Sequence, residues 1–204
     1  MSFREFTLEQ VEAKFAVVAS EDRALFADVP AVPLSPFLTE YFAGYGSLGQ
    51  AAASEKGRSE LLVAPLLAEV WLRSDHRVSL LSGAEFNVDA AVGLDGVCDF
   101  LLCRSPNFNY VKAPILAAAE AKRDNIAEGL GQCAAVMIAA QRFNRKAGIA
   151  DETVYGCVTT GSGWRFLRLA GANLAVDLRE YSIRVPEEIL GVLLHCCGVV
   201  PTAA

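Results

Sequence analysis

Histidine is nearly missing from this sequence: only His76 and His195 occur. The six cysteines, at 98, 103, 133, 157, 196 and 197, contain no CxxC pair. Together these shortages argue against a zinc site. The cysteines fall mostly in apolar runs and read as small buried side chains, with Cys196-Cys197 in a packed helix. Long apolar runs are also lacking: "AAVMIAA" and "ILGVLLHCCGVV" are too short to span a bilayer. The start, "MSFREFTLEQVEAKF", carries charges throughout and has no signal-peptide-like apolar run. The expectation is a cytoplasmic protein with no membrane partner. An excess of positive charge is absent too, since the net charge is −6, which argues against a general nucleic-acid coat.

What is present is an ordinary globular composition, 53% hydrophobic and 21% charged over 204 residues. That is enough for one good-sized domain burying roughly 70% of its unfolded surface. The charge is unevenly placed. Residues 101–150 hold seven basic side chains (Arg104, Lys112, Lys122, Arg123, Arg142, Arg145, Lys146) and three acidic ones (Glu120, Asp124, Glu128), a net +4 that leaves −10 elsewhere. A local basic surface on an acidic body is therefore open.

Hydrophobic spacing predicts a helix over 7–19, capped by Thr7. Residues 28–37, with Pro30, Pro33 and Pro36, read as an extended connector. "GYGSLG" at 44–49 is formally GxGxxG, but no apolar strand precedes it, so it reads as a turn-rich loop rather than a dinucleotide site. Residues 54–73 read as a helix bent or broken at Pro65. Strands are expected over 77–92 and 97–104, separated by the turn "GLDG", and a loop over 105–114 follows. A small-residue helix over 128–148 closes at Gly148. Next come a hairpin around Gly161-Ser162-Gly163, a further strand in "NLAVDL", and a closing helix with Pro186 in its first turn.

The segment "ILAAAEAKRDNIAEGLGQ", 115–132, is the ambiguous one. By propensity its alanines favour helix. In a helix Glu120 and Lys122 would point about 200° apart; in a strand they would share a face. Its place between a strand and a crossover helix, and Pro114 before it, favour a strand parallel to the hairpin's first strand. Three strands in succession form a meander, and the whole is a mixed α/β sheet with helices on both faces. Asp99, at comparable depth on the neighbouring strand, then joins Glu120 and Lys122. Two close carboxylates repel unless a cation relieves them. Oxygen ligands suit Mg2+ or Mn2+, and a lysine beside such a metal suits attack on a phosphodiester.

Glu60 on a helix, Asp99 in "GVCDF", "EAK" at 120–122 and Gln132 on the next helix resemble, in that order, the PD-(D/E)xK nuclease superfamily. The resemblance covers about residues 54–200, with 1–53 as an N-terminal helical and loop extension of a single domain spanning 1–204. The hairpin "GCVTTGSGWRFLRL" is similar to the strands after the motif in restriction-enzyme subunits and related bacterial proteins. Cys98, not proline, precedes Asp99.

The resemblance implies a restriction-endonuclease-like fold and a Mg2+- or Mn2+-dependent nuclease, with DNA as the expected substrate and 5′-phosphate and 3′-hydroxyl products. Asp99, Glu120 and the Ala121 carbonyl would hold the metal, and Glu60 would bind it directly or through water. Lys122 would orient the attacking water, and Gln132 would support the site or touch a phosphate. Such a nuclease would dimerise or act within a larger system.

Alternatives stay open. Asp95 is a second candidate aspartate, and Glu69 a substitute for Glu60. Glu120 and Lys122 could be an exposed ion pair. Trp164, Arg165 and Arg168 read as sheet packing before nucleic-acid contacts, and Arg142, Arg145 and Lys146 as a solvated helix end. The competing functions are a non-catalytic nucleic-acid or protein binding module on the same fold, and a hydrolase of another phosphate ester.

Overall fold

The computed structural model describes residues 2–150 and 153–200. Seven strands pair in the order β1-β7-β6-β5-β4-β3-β2. They are β1 Val18–Ser20, β2 Ser79–Glu85, β3 Val97–Cys103, β4 Ile115–Ala121, β5 Val154–Thr159, β6 Gly163–Ala170 and β7 Asn173–Ser182. The meander β2-β3-β4 is antiparallel, as expected. The crossover helix α5, Ala127–Lys146, returns the chain to β5, parallel to β4. Strands β5, β6 and β7 then run antiparallel, and β1 adds parallel to β7 at the edge.

Every residue of β4 is buried. A central strand covered on both faces reads as a continuous apolar run, and here that context overrides the helix propensity of Ala117, Ala118 and Ala119. One face packs its Leu101, Ala118 and Val158 against α5 and against Phe3 and Phe6 from the amino terminus. The other packs Phe100, Ala119 and Phe166 against α2 (Pro36–Ala51), α4 (Ala64–Arg73) and α6 (Pro186–Cys196). The result is an α/β sandwich with a mixed seven-stranded sheet between helical layers.

Several local readings need correction. "GYGSLG" is helical, inside α2, not a loop. Ser35 caps that helix by accepting from Leu38 N–H, and Pro36 starts it, so start signals and burial outweigh three glycines. The opening helix α1 spans only Leu8–Phe15: Thr7 caps it with a Gln10 capping box, but Ala16 turns left-handed and the chain becomes β1. The strand expected over 77–92 ends at Glu85.

Pro65 does not break its helix. A short α3, Glu55–Arg58, runs through a π-helical turn, Ser59–Val63, into α4. Pro65 offers no N–H to the Leu61 carbonyl, which accepts the Tyr41 hydroxyl at 3.2 Å. The last helix stops at Cys196, and all six cysteines are free and buried. Among the described residues no helix is long and apolar enough to cross a membrane.

Candidate functional site

The site is built at the carboxyl end of β4. Phe100 pairs with Ala119 across β3 and β4, which sets Asp99 beside Glu120. The Asp99 Oδ2 accepts the Ala121 N–H at 2.9 Å, so its carboxylate is pinned to the neighbouring strand. Glu120 is fully buried. Gln132, buried on α5, donates from Nε2 to Glu120 Oε2 at 2.5 Å. The same amide accepts Lys122 Nζ at 2.9 Å through its Oε1. Glu120, Gln132 and Lys122 are therefore one hydrogen-bonded chain, with Asp99 against Glu120.

The local sequence makes this possible. Lys122 N–H bonds to the Thr159 carbonyl at 2.7 Å, continuing the β4–β5 ladder to the end of "EAK". The Lys122 stem then crosses the first turn of α5 at Gly129. A Cβ there would lie 2.5 Å from Val158 and 3.0 Å from the Lys122 Cγ. At Gly131 a Cβ would meet the Phe6 carbonyl at 2.2 Å. The two glycines of "EGLGQ" thus admit the lysine stem and the amino-terminal segment against α5.

The electrostatics are unbalanced. Burial holds the Glu120 carboxyl well above its usual range, and the Asp99 charge pushes it the same way. Lys122 and, more weakly, Arg4 oppose this. Among the described residues Glu120 Oε1 is buried with no hydrogen-bond partner. A buried carboxyl oxygen without a partner is costly, and a cation that replaces the carboxyl proton is one way to satisfy it.

A cleft of about 340 Å³ opens beside this cluster, lined by Arg4, Lys56, Glu60, Ser82, Asp99 and Ala121 among others. Glu60 lies on its wall but does not reach the carboxylate pair. Its largely exposed side chain faces Lys56 at 3.7 Å. Among the described residues no group of three or more His, Cys, Asp or Glu side chains is placed to hold a metal. The alternatives go elsewhere. Glu69 is buried and bonded to Ser35 and Arg73. Asp95 tethers the amino terminus, its carbonyl accepting Phe3 N–H at 3.1 Å.

Trp164 is buried and donates to the Gly161 carbonyl, while Arg165 is held by the Asp177 carbonyl and Glu21. Both belong to packing. Arg142, at the basic end of α5, pairs with Asp89 at 3.1 Å.

Sequence reasoning missed Arg4 and Gly129. The available signals were the Phe-Arg-Glu-Phe spacing, which can bury two rings and leave the charges outside, and a glycine opposite the lysine of "EAK". Comparison with known proteins adds nothing to these geometric facts: no family model matches the chain, and no curated protein or solved structure matches it at a significant level.

Two adjacent carboxylates, one with an orphaned oxygen, fit a hard divalent ion, since the available side-chain ligands are oxygens and the nearby thiols of Cys98 and Cys133 are pushed up by burial and stay protonated. Asp99 and Glu120 are the residues that would hold it.

Proposed function

We propose that this chain is a divalent-metal-dependent nuclease of the PD-(D/E)xK type with a restriction-endonuclease-like fold, hydrolysing phosphodiester bonds, most naturally in DNA. The observation that carries the reading is the partnerless Glu120 Oε1, buried against Asp99 and next to a lysine-bearing hydrogen-bond chain. The unserved oxygen lies against a second acid and beside a lysine, a setting in which a cation would satisfy it.

Mg2+ or Mn2+ bound by Asp99 and Glu120 would supply stabilisation of the charge that grows on the phosphoryl oxygens. The chain's own groups do the rest. Asp99 keeps its carboxylate fixed through the Ala121 N–H. Gln132 holds Glu120 and Lys122 in one register. The Lys122 ammonium positions a water for attack on phosphorus, and the 3′-oxygen leaves to give a 3′-hydroxyl and a 5′-phosphate. Burial keeps Glu120 from bulk water, which strengthens the charge interactions around it.

The test is cleavage of DNA by the purified protein with Mg2+ or Mn2+, beside Lys122→Ala. Metal-dependent cleavage that disappears in a folded Lys122→Ala protein supports the assignment. Cleavage retained in that variant overturns it. A panel including RNA and small phosphate esters separates a nuclease from a hydrolase of another phosphate ester. One observation favours the second reading, a non-catalytic binding module: Glu60 faces Lys56 and supplies no third carboxylate to the pair. Nucleic-acid binding without turnover under any divalent metal is its signature.

A further inference from the structure

We propose that Arg4 is the phosphate-binding residue of the cleft, so that the amino-terminal segment is part of the active site and not an appendage. This rests on the nuclease reading and adds to it a specific contact with an anionic backbone.

Arg4 is carried between two fixed points. Phe3 and Phe6 are both buried, in the core under α5. Phe3 N–H bonds to the Asp95 carbonyl and Phe6 N–H to the Phe3 carbonyl, at 3.1 and 3.3 Å. The Phe3 ring stacks on Phe86 with centroids 6.3 Å apart. Ser2 and Glu5 close a capping box around the same turn. Between these anchors Arg4 is exposed and lines the cleft with Asp99 and Ala121.

The other cations nearby are engaged. Lys122 donates to Gln132. Lys56 faces Glu60. Arg58 donates to the carbonyls of Ala52 and Arg123 and lies 3.7 Å from Asp124. Arg123 pairs with Asp124 at 3.3 Å. Arg4 alone of these has no hydrogen bond or ion pair among the described residues. If its role were only to neutralise Asp99 and Glu120, an ion pair with one of them would be expected. A guanidinium held over an acidic cleft with its five donors unspent suits a phosphate group, which it can bind through two parallel bonds. A phosphodiester next to the scissile one supplies that anion.

The experiment compares Arg4→Ala and Arg4→Lys, first as cleavage by the otherwise unaltered protein, then as binding of a short labelled DNA duplex in an Asp99→Asn background across a salt series. Arg4→Ala is expected to lower kcat/KM roughly 10- to 100-fold and to reduce the slope of log affinity against log salt by about 0.9, one phosphate contact. Arg4→Lys should recover the slope but only part of the affinity. Unchanged cleavage and slope in Arg4→Ala, with the parent active, overturns the role of Arg4 and leaves the nuclease reading standing. Weaker cleavage with an unchanged slope and a lower Tm also overturns it, as a packing effect. A parent that neither cleaves nor binds DNA removes both.

Discussion

Among the described residues three carboxylates are sealed in the interior, and they are not treated alike. Asp177 accepts from Leu25 N–H, Arg179 N–H and the Tyr181 hydroxyl, so both oxygens are served. Glu69 accepts from Ser35 N–H, the Ser35 hydroxyl and Arg73. Glu120 has one donor, Gln132, and an oxygen with none, and it faces a second acid instead of a base. The first two tie connecting segments to the sheet and to α4. They show that this fold can satisfy a buried acid when the acid's task is structural. Among the described residues Trp71 Nε1, Ser79 Oγ and Asp95 Oδ1 are also buried without a partner, so the unfinished state of Glu120 is informative for its setting, against a second acid and beside a lysine-bearing hydrogen-bond chain.

Substitutions can break or sharpen that contrast. The largest effect should be on activity. Asp99→Asn and Lys122→Ala are expected to lower metal-dependent cleavage by about 10²- to 10³-fold or more while leaving the circular-dichroism spectrum unchanged. The structural acid should show the converse. Asp177→Ala strands three donors and should cost about 3–5 kcal/mol, read as a lowered urea midpoint, with little change in kcat per folded molecule.

Glu120→Gln should separate the two classes most sharply. Burial and Asp99 raise the Glu120 carboxyl, so the folded state holds its proton more tightly than the unfolded chain does. That contribution is complete below the ordinary value of 4.5 and is lost as pH rises through the folded-state value. Without metal, Glu120→Gln should therefore match the parent in acid and exceed its Tm increasingly as pH is raised towards neutrality. A variant less stable than the parent at every pH would place Glu120 with Asp177.

Smaller effects follow. Gly129→Ala forces a methyl into Val158 and the Lys122 stem, and should cost about 1–3 kcal/mol together with part of the activity. Glu60→Ala removes an exposed pair with Lys56 and should change stability by no more than about 0.5 kcal/mol. Its effect on cleavage should stay below that of Asp99→Asn.

The legibility of this chain in its sequence follows the same physical divide. The strands of the meander, the crossover helix and the hairpin were readable because each has its own period and its own turn residues. The strand state of "ILAAAEAK" was readable only from its place in the order of elements, since its propensity points the other way. That order also set Asp99, Glu120 and Lys122 together, with Gln132 one crossover away. What stayed hidden depends on tertiary contact. Gly44, Gly46 and Gly49 suggest a loop until the Ser35 cap and the packing of Gly49 against Leu62 are seen. The three-residue β1 exists only because β7 offers an edge. Arg4 reaches the cleft only because Phe3 and Phe6 bury themselves on either side of it.

The most direct test of the central claim is a calorimetric titration of Mn2+ into the metal-free protein, repeated in two buffers of different ionisation enthalpy and again with Asp99→Asn. The account predicts saturable binding accompanied by proton release, because Glu120 must give up its proton to take the ion, and loss of that binding in Asp99→Asn. No saturable binding at millimolar Mn2+, or binding that Asp99→Asn leaves unchanged, would contradict it.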